Sequence, residues 1–277
     1  MTVMTPDLTP TPDASPQAGP AEPTRIAVGG VRFDPLTLSQ TIDRVVAEAG
    51  AGRGGWVITA NLDHARRARV DPEYQTMLAE ADLVVADGAP MIWAARVQGT
   101  PLPERVAGSS MVAPLAAAAA EHGLSIYFMG GTPGTAQQAA DLLVEQYPGL
   151  RVAGTSCPPM GFESDPAEMA RIREGLAQAQ PDLVYVALGS PKQERLIREL
   201  REGFPGLWWL GIGISLSFLT GEVQRAPSWM QRCGLEWFHR LAQEPRRLAK
   251  RYLVHGLPFA CRLMVGAVAK RLSGSAR

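Results

Sequence analysis

The chain of 277 residues lacks most of the features that announce metal, redox or disulfide chemistry. Its three cysteines, Cys157, Cys233 and Cys261, show no CxxC spacing, which excludes a disulfide framework and a cysteine-rich zinc site and fits a reducing compartment. The four histidines, His64, His122, His239 and His255, form no HxxxH or HExxH pair. The common hydrolytic metal signatures are therefore missing, and neither a metal nor another cofactor is expected. There is no basic start followed by an apolar core, so no secretory signal is read. The longest nearly uncharged run before the tail, "MVAPLAAAAA", is too short to span a bilayer. What is present is ordinary: 46% apolar, 19% charged and 6% aromatic residues describe a soluble globular protein large enough to bury a sizeable core.

Net charge is also lacking, but the zero hides an asymmetry. From Val223 to Arg277, nine arginines and two lysines face only Glu236 and Glu244, so an acidic body carries a basic tail. Such a tail suits an anionic partner, nucleic acid or a membrane surface. Trp229, Trp237, Phe238, Tyr252, Phe259 and Leu263 are interleaved with its cations, a pattern that fits helices lying in the headgroup layer. The segment "LVHGLPFACRLMVGAVA" is interrupted by Pro258 and Arg262 and reads as interfacial rather than spanning. No helix-turn-helix, RRM or OB signature accompanies the charge, which speaks against nucleic acid. A subunit interface in a homo-oligomer, with arginines at its rim, is the other reading of these aromatics.

Three regions follow. Residues 1–24 are rich in Pro, Thr and Ala and read as a disordered leader. Residues 25–222 alternate between apolar β-rich runs ("WVITA", "LVVA", "SIYFMGG", "RVAGTSC", "LVYVALG", "LWWLGIG") and segments of helical spacing such as "PGTAQQAADLLVEQY" and "DPAEMARIREGLAQAQ". Runs that are apolar throughout are strands buried on both faces, so the expected fold is α/β, a mostly parallel sheet flanked by helices as a Rossmann-like sandwich. Residues 223–277 form a basic, aromatic, helical appendage for membrane docking.

In such a sheet the ligand crevice lies at the carboxyl ends of the strands. "TANLDH", "DGAP", "GGTPG", "GSPKQE" and "GIGIS" all fall there. Asp87-Gly88 is a turn by default, or a carboxylate delivered to the crevice. Asn61 is a natural helix N-cap next to Thr59. Gly130, Gly131 and Gly134 allow a diphosphate to approach a helix N-terminus or simply make a tight turn. Lys192, Gln193 and Glu194 fall in the first turn of a helix close to the crevice, where Lys192 and Gln193 could contact a phosphate or sugar hydroxyls, or the turn is only a capped, solvated helix start. Arg105 lies in a loop, free to pair with an anion.

Together, "TANLDH", "ADGAPMIWAAR", "ERVAGSS", "FMGGTPG", "ALGSPKQE", "GIGISLSFLTGEVQRAPSW" and "GLEWFHRLAQEPRRLAKRY", in this order, resemble the WecG/TagA/CpsF family of bacterial glycosyltransferases over about residues 26–263. The resemblance implies metal-free, inverting transfer of a sugar, often N-acetylmannosamine, from a UDP donor. The acceptor would be a polyprenyl-diphosphate-linked sugar on the cytoplasmic face of the cell membrane, in cell-wall, capsule or exopolysaccharide synthesis. It implies Asp87 as general base, with Thr59, Asn61, Arg105 and Gln193 in the pocket. Arg240, Arg247 and Arg251 would contact the lipid diphosphate, with a one-residue offset between Arg246 and Arg247 left open.

Two departures stand out. Ser110 and Ser217 occupy positions where the family commonly has Asp, so the donor sugar is not fixed by the resemblance. They keep a second reading open, a non-catalytic membrane-associated UDP-sugar sensor. A nicotinamide-dependent oxidoreductase is disfavoured because "GGTPG" lacks the dinucleotide-binding spacing.

Overall fold

A computed structural model describes residues 24–274 of the chain. The leader expected over 1–24 therefore falls almost wholly outside the described residues. The six apolar runs become β3 (Gly55–Ala60), β4 (Leu83–Ala86), β5 (Ser125–Gly130), β6 (Arg151–Ser156), β7 (Leu183–Ala187) and β8 (Trp208–Gly211). They form one sheet in the order β4-β3-β8-β7-β5-β6, with every neighbouring pair parallel. Five of them are buried along their whole length, as continuous apolar runs require. The edge strand β6 is the half-exposed exception.

Ahead of the sheet stands a small antiparallel hairpin, β1 (Ile26–Val28) and β2 (Val31–Phe33). Its two-residue loop, Gly29-Gly30, has φ of +61° and +89°, the conformation that suits a tight hairpin and favours glycine. The following Asp34 clamps the hairpin to β4: its backbone N–H donates to the Val84 carbonyl, and its Oδ2 accepts from the Val84 N–H at 2.7 Å.

Helices cover both faces. On one lie α2 (Leu62–Ala68), α3 (Pro72–Glu80), α4 (Ala89–Val97), α7 (Pro166–Ala179) and α8 (Lys192–Arg201), around a core holding Trp56, Tyr74, Met91 and Trp209. On the other lie α1 (Leu38–Gly50), α5 (Gly108–Glu121), α6 (Thr135–Gln146) and α9 (Ser215–Leu219), around Leu115, Phe128 and Tyr185. Each large side chain buried in this way contributes roughly 1.5–3 kcal/mol relative to exposure.

The tail continues as α10 (Ser228–Arg232), α11 (Glu236–Gln243) and α12 (Pro245–Ala249), then a π-helical segment (Lys250–Gly256) and α13 (Leu257–Gly274). Pro258 does not interrupt it, contrary to the sequence reading. Pro245–Gly274 is one helix of 30 residues, long and apolar enough by length and composition to cross a membrane. A proline removes one helical N–H and crowds the preceding turn. Here the wider π turn ends just before Pro258 and accommodates that loss without breaking the helix.

Nor is the tail a detached unit. Phe259, Leu263 and Ala267 of α13 are buried in the same core as Met91 and Trp209. Lys270 Nζ donates to the Ala27 carbonyl at 3.2 Å.

Candidate active site

The sheet order brings the carboxyl ends of β4, β3, β8 and β7 side by side, and the tail folds over them. Between the two lies a cleft of about 490 Å³. Thr59, Asn61, Asp87, Arg105 and Gln193, all named from the sequence, line it; so do Arg240, Arg247 and Arg251 from the tail. Of the neighbouring pair, Arg247 lines the cleft and Arg246 does not.

Asp87 is the first residue past β4, and its N–H donates to the Ala60 carbonyl at the end of β3. Gly88 follows with φ +102°, in the region that glycine tolerates, and turns the chain at once into α4. The strand therefore ends by aiming a carboxylate into the cleft. Burial pushes the Asp87 pKa up to about 6, and Glu236 adds to this; Arg105, His64 and Arg225 oppose it.

Asn61 is the N-cap of α2: its Oδ1 accepts from the Asp63 N–H at 3.0 Å and from the His64 N–H at 3.4 Å. Capping and lining the cleft are thus compatible. Thr59, almost buried in β3, lies beside the first residue of α5, since a Cβ on Gly108 would meet its Oγ1 at 3.3 Å. Gln193 is 5% exposed, and its amide is engaged at both ends. Nε2 donates to Glu194 Oε1 at 2.9 Å, and Oε1 accepts from the Gly213 N–H at 3.0 Å.

The cationic wall comes from two sources. Arg105, in the loop before α5, donates to Glu236 of α11 at 3.1 Å. Arg225 lies 3.6 Å from the same carboxylate and donates to Ser110 Oγ at 2.8 Å. Arg251 pairs with Asp63 at 3.3 Å, and Arg240 sits 5.6 Å from the centre of the Phe218 ring. Arg225, Arg240 and Arg251 each bury an Nε–H that meets no hydrogen-bond acceptor. Trp237 and Tyr252, edge to face with ring centres 6.1 Å apart, complete the wall.

Two expectations are not met by this geometry. Gly130 and Gly131 lie outside the cleft, because the N-terminus of α6 already has an anion. Glu222 Oε1 accepts from Thr132 Oγ1 at 2.8 Å and Thr135 Oγ1 at 2.5 Å, and these bonds, with one from Ser217, hold its carboxyl below the usual range. An Asp at 217 would confront Glu222, whereas Ser217 donates to it. The two glycines serve close packing instead: a Cβ on Gly130 would come within 2.6 Å of the Ala187 carbonyl oxygen. Lys192 also points away from the cleft, half exposed, and pairs with Glu163 at 2.8 Å.

Sequence reading missed four contributors. Glu236 closes the cationic wall, Trp93 of α4 lines the mouth, and His64 and Glu194 form a buried pair beneath the cleft with Nε2 and Oε1 3.6 Å apart. The NLDH and KQE motifs contain that pair, but no spacing in the sequence says that they meet.

Known proteins match this frame. The family model of the WecG/TagA/CpsF glycosyl transferases matches residues 26–273. The chain is 32% identical over 195 residues to an N-acetylglucosaminyldiphosphoundecaprenol N-acetyl-beta-D-mannosaminyltransferase of Bacillus spizizenii, covering 70% of this chain and 74% of that protein. To the protein of the same description from Bacillus subtilis it is 32% identical over 194 residues, covering 70% and 73%. With the match running from the first hairpin to the end of the last helix, the chain belongs to the WecG/TagA/CpsF family of glycosyltransferases.

Proposed function

We propose that the protein transfers a hexose, N-acetylmannosamine or a close relative, from a UDP-sugar to a polyprenyl-diphosphate-linked sugar, with inversion at the anomeric carbon. The carrying observation is Asp87, a desolvated carboxylate with a pKa of about 6 that lines the cleft with Arg105, Arg240, Arg247 and Arg251. Inverting transfer needs one base to take the proton from the acceptor hydroxyl as that oxygen attacks the face opposite the leaving nucleotide. A carboxyl with this pKa is ionised at neutral pH yet basic enough to accept the proton.

Arg105 and Arg225 would offset the charge that grows on the departing diphosphate. Asn61 would hydrogen-bond the sugar through its free amide N–H groups, and Gln193 through its one remaining N–H. The buried Nε–H groups of Arg240 and Arg251, which line the cleft and meet no hydrogen-bond acceptor, support an anion between body and tail, where the lipid diphosphate of the acceptor would sit with Arg240, Arg247 and Arg251. The names of the Bacillus relatives support that acceptor class, since they describe transfer to a diphosphoundecaprenol-linked sugar.

The long helix supports docking along the inner face of the cell membrane rather than crossing it. One face is seated on α4 through Phe259, Leu263 and Ala267, while Leu253, Val254, Leu257, Val265 and Val268 are exposed beside Arg246 and Lys250.

The test is UDP release from a panel of UDP-sugars with a short-chain polyprenyl-diphosphate-linked sugar acceptor, comparing wild type with Asp87→Asn. Acceptor-dependent release that falls about 10²-fold or more in the variant supports the reading. Binding of UDP-sugars without consumption by any acceptor would overturn it.

A further inference from the structure

The floor of the cleft holds two buried ionisable side chains: His64, 6% exposed, and Glu194, 1% exposed. His64 Nδ1 lies 2.8 Å from Asn61 Oδ1, and Nε2 lies 3.6 Å from Glu194 Oε1. Because Asn61 Oδ1 also accepts the Asp63 N–H, that atom is the amide oxygen, and the ring nitrogen facing it is a donor. The approach of the Asn61 N–H to the same nitrogen, at 3.4 Å, requires the opposite role and is much the longer of the two. Each ring nitrogen of His64 thus faces an oxygen, Asn61 Oδ1 on one side and Glu194 Oε1 on the other.

Burial raises the Glu194 pKa, but the hydrogen bond and charge of His64, with the Gln193 amide and the Ser190 hydroxyl, outweigh it and keep the carboxyl below its usual value. Removing charge from water is costly, and Glu194 Oε2 is left without a hydrogen-bond partner. Stability alone gives such a pair little reason to exist; what it holds does. One end fixes Asn61 through Nδ1. The other fixes Gln193, whose amide then holds the Gly213 N–H at the end of β8.

We propose that His64 and Glu194 are positioning residues for sugar transfer: their buried contact locks Asn61 and Gln193 in place beneath Asp87. This rests on the reading of Asp87 as the base. Besides His64, the charges that act on Asp87 come from Arg105 ahead of α5 and from Arg225 and Glu236 of the tail. Against His64 pack Glu194 of α8 and the Tyr74 ring of α3, 5.9 Å away; Asp63 and Arg67 of α2 stand next to Tyr74.

The experiment is the pH dependence of kcat/KM for acceptor-dependent UDP release in wild type, His64→Gln, Glu194→Gln and, as a packing control, Tyr74→Phe. His64→Gln keeps a hydrogen-bonding side chain but removes the imidazole. It is expected to lower kcat/KM roughly 10- to 100-fold and to move the acidic limb upward by about half a pH unit or more. Tyr74→Phe removes a bond to Ser190 from the same packing and should leave the limb in place. Should the substitutions impair folding, the imidazole resonances of ring-labelled wild-type protein serve instead: His64 is expected to keep a slowly exchanging Nδ1–H that reports its hydrogen bond to Asn61. A freely exchanging Nδ1–H, or an unmoved limb in a folded His64→Gln, overturns the proposal. Full activity in Asp87→Asn would instead overturn the base assignment, so the two failures are told apart.

Discussion

Arg105 Nη1 donates to Glu236 Oε2 at 3.1 Å, tying the loop before α5 to the first turn of α11. Arg225 shares the same carboxylate at 3.6 Å. On the proposed reading an entering diphosphate would compete with Glu236 for these two cations, which would couple substrate binding to the seating of α11.

Glu236→Gln tests that coupling. The substitution frees Arg105 and Arg225 and removes a charge that raises the Asp87 pKa. Donor KM is expected to fall, and the acidic limb of kcat/KM to move to lower pH, opposite to the shift expected for His64→Gln. An unchanged donor KM would show that Glu236 does not compete.

For Asp87→Asn, activity and stability should move in opposite directions. The folded-state pKa of about 6 lies above the ordinary 3.8, so the folded protein holds the proton more tightly across that window. Stability therefore falls as pH rises from roughly 4 to 6, and the ionised carboxylate is a burden above it. The variant should lose about 10²- to 10⁴-fold in kcat/KM yet gain on the order of 1–3 kcal/mol at about pH 8, read from urea midpoints.

Gly234 joins tail to body, with φ +74°, and a Cβ there would come within 2.4 Å of Ala89 Cβ and 3.0 Å of the Trp93 ring. Gly234→Ala should unseat α11 from α4. Limited proteolysis around residues 233–244 should accelerate, and transfer should fall by about tenfold or more, since small misplacements of a site wall carry such penalties.

Val254→Asp with Val265→Asp alters two residues that are 60% and 70% exposed on the long helix and do not line the cleft. Sedimentation with vesicles containing about 30% anionic lipid should drop sharply for the double variant, and added salt should weaken wild-type binding. UDP release with a water-soluble acceptor should be little changed. Equal sedimentation of wild type and variant would place lipid contact elsewhere.

The central sheet was legible because strands buried on both faces leave runs such as LVYVA and SIYFMG, which need no partner to be recognised. The β1–β2 hairpin was not: strands of three residues around Gly29-Gly30 carry too little pattern. Asp87, Asn61 and Thr59 could be placed together because strand ends converge by rule, whereas Arg105, in a loop, was placed with them through the family resemblance; all four line the cleft. Gly131 and Lys192 were misjudged because Glu222 and Glu163, which take up the local hydrogen-bond donors and charge, come from distant turns. The direction of the tail's arginines was hidden for a related reason. The composition of a basic amphipathic helix does not say whether its cations face lipid or fold back, and Arg240 and Arg251 fold back over the cleft.

The burial of Phe259, Leu263 and Ala267 in the core under β4 and β8 has a consequence for synthesis. Translation proceeds from the N-terminus, so the sheet emerges from the ribosome before the helix that closes one of its faces. Until the last residues are released, Met91 and its neighbours lack their cover and the cleft lacks a wall. A chain that stops early would therefore be an incompletely covered, aggregation-prone body without an assembled site, which links completion of the polypeptide to the onset of activity.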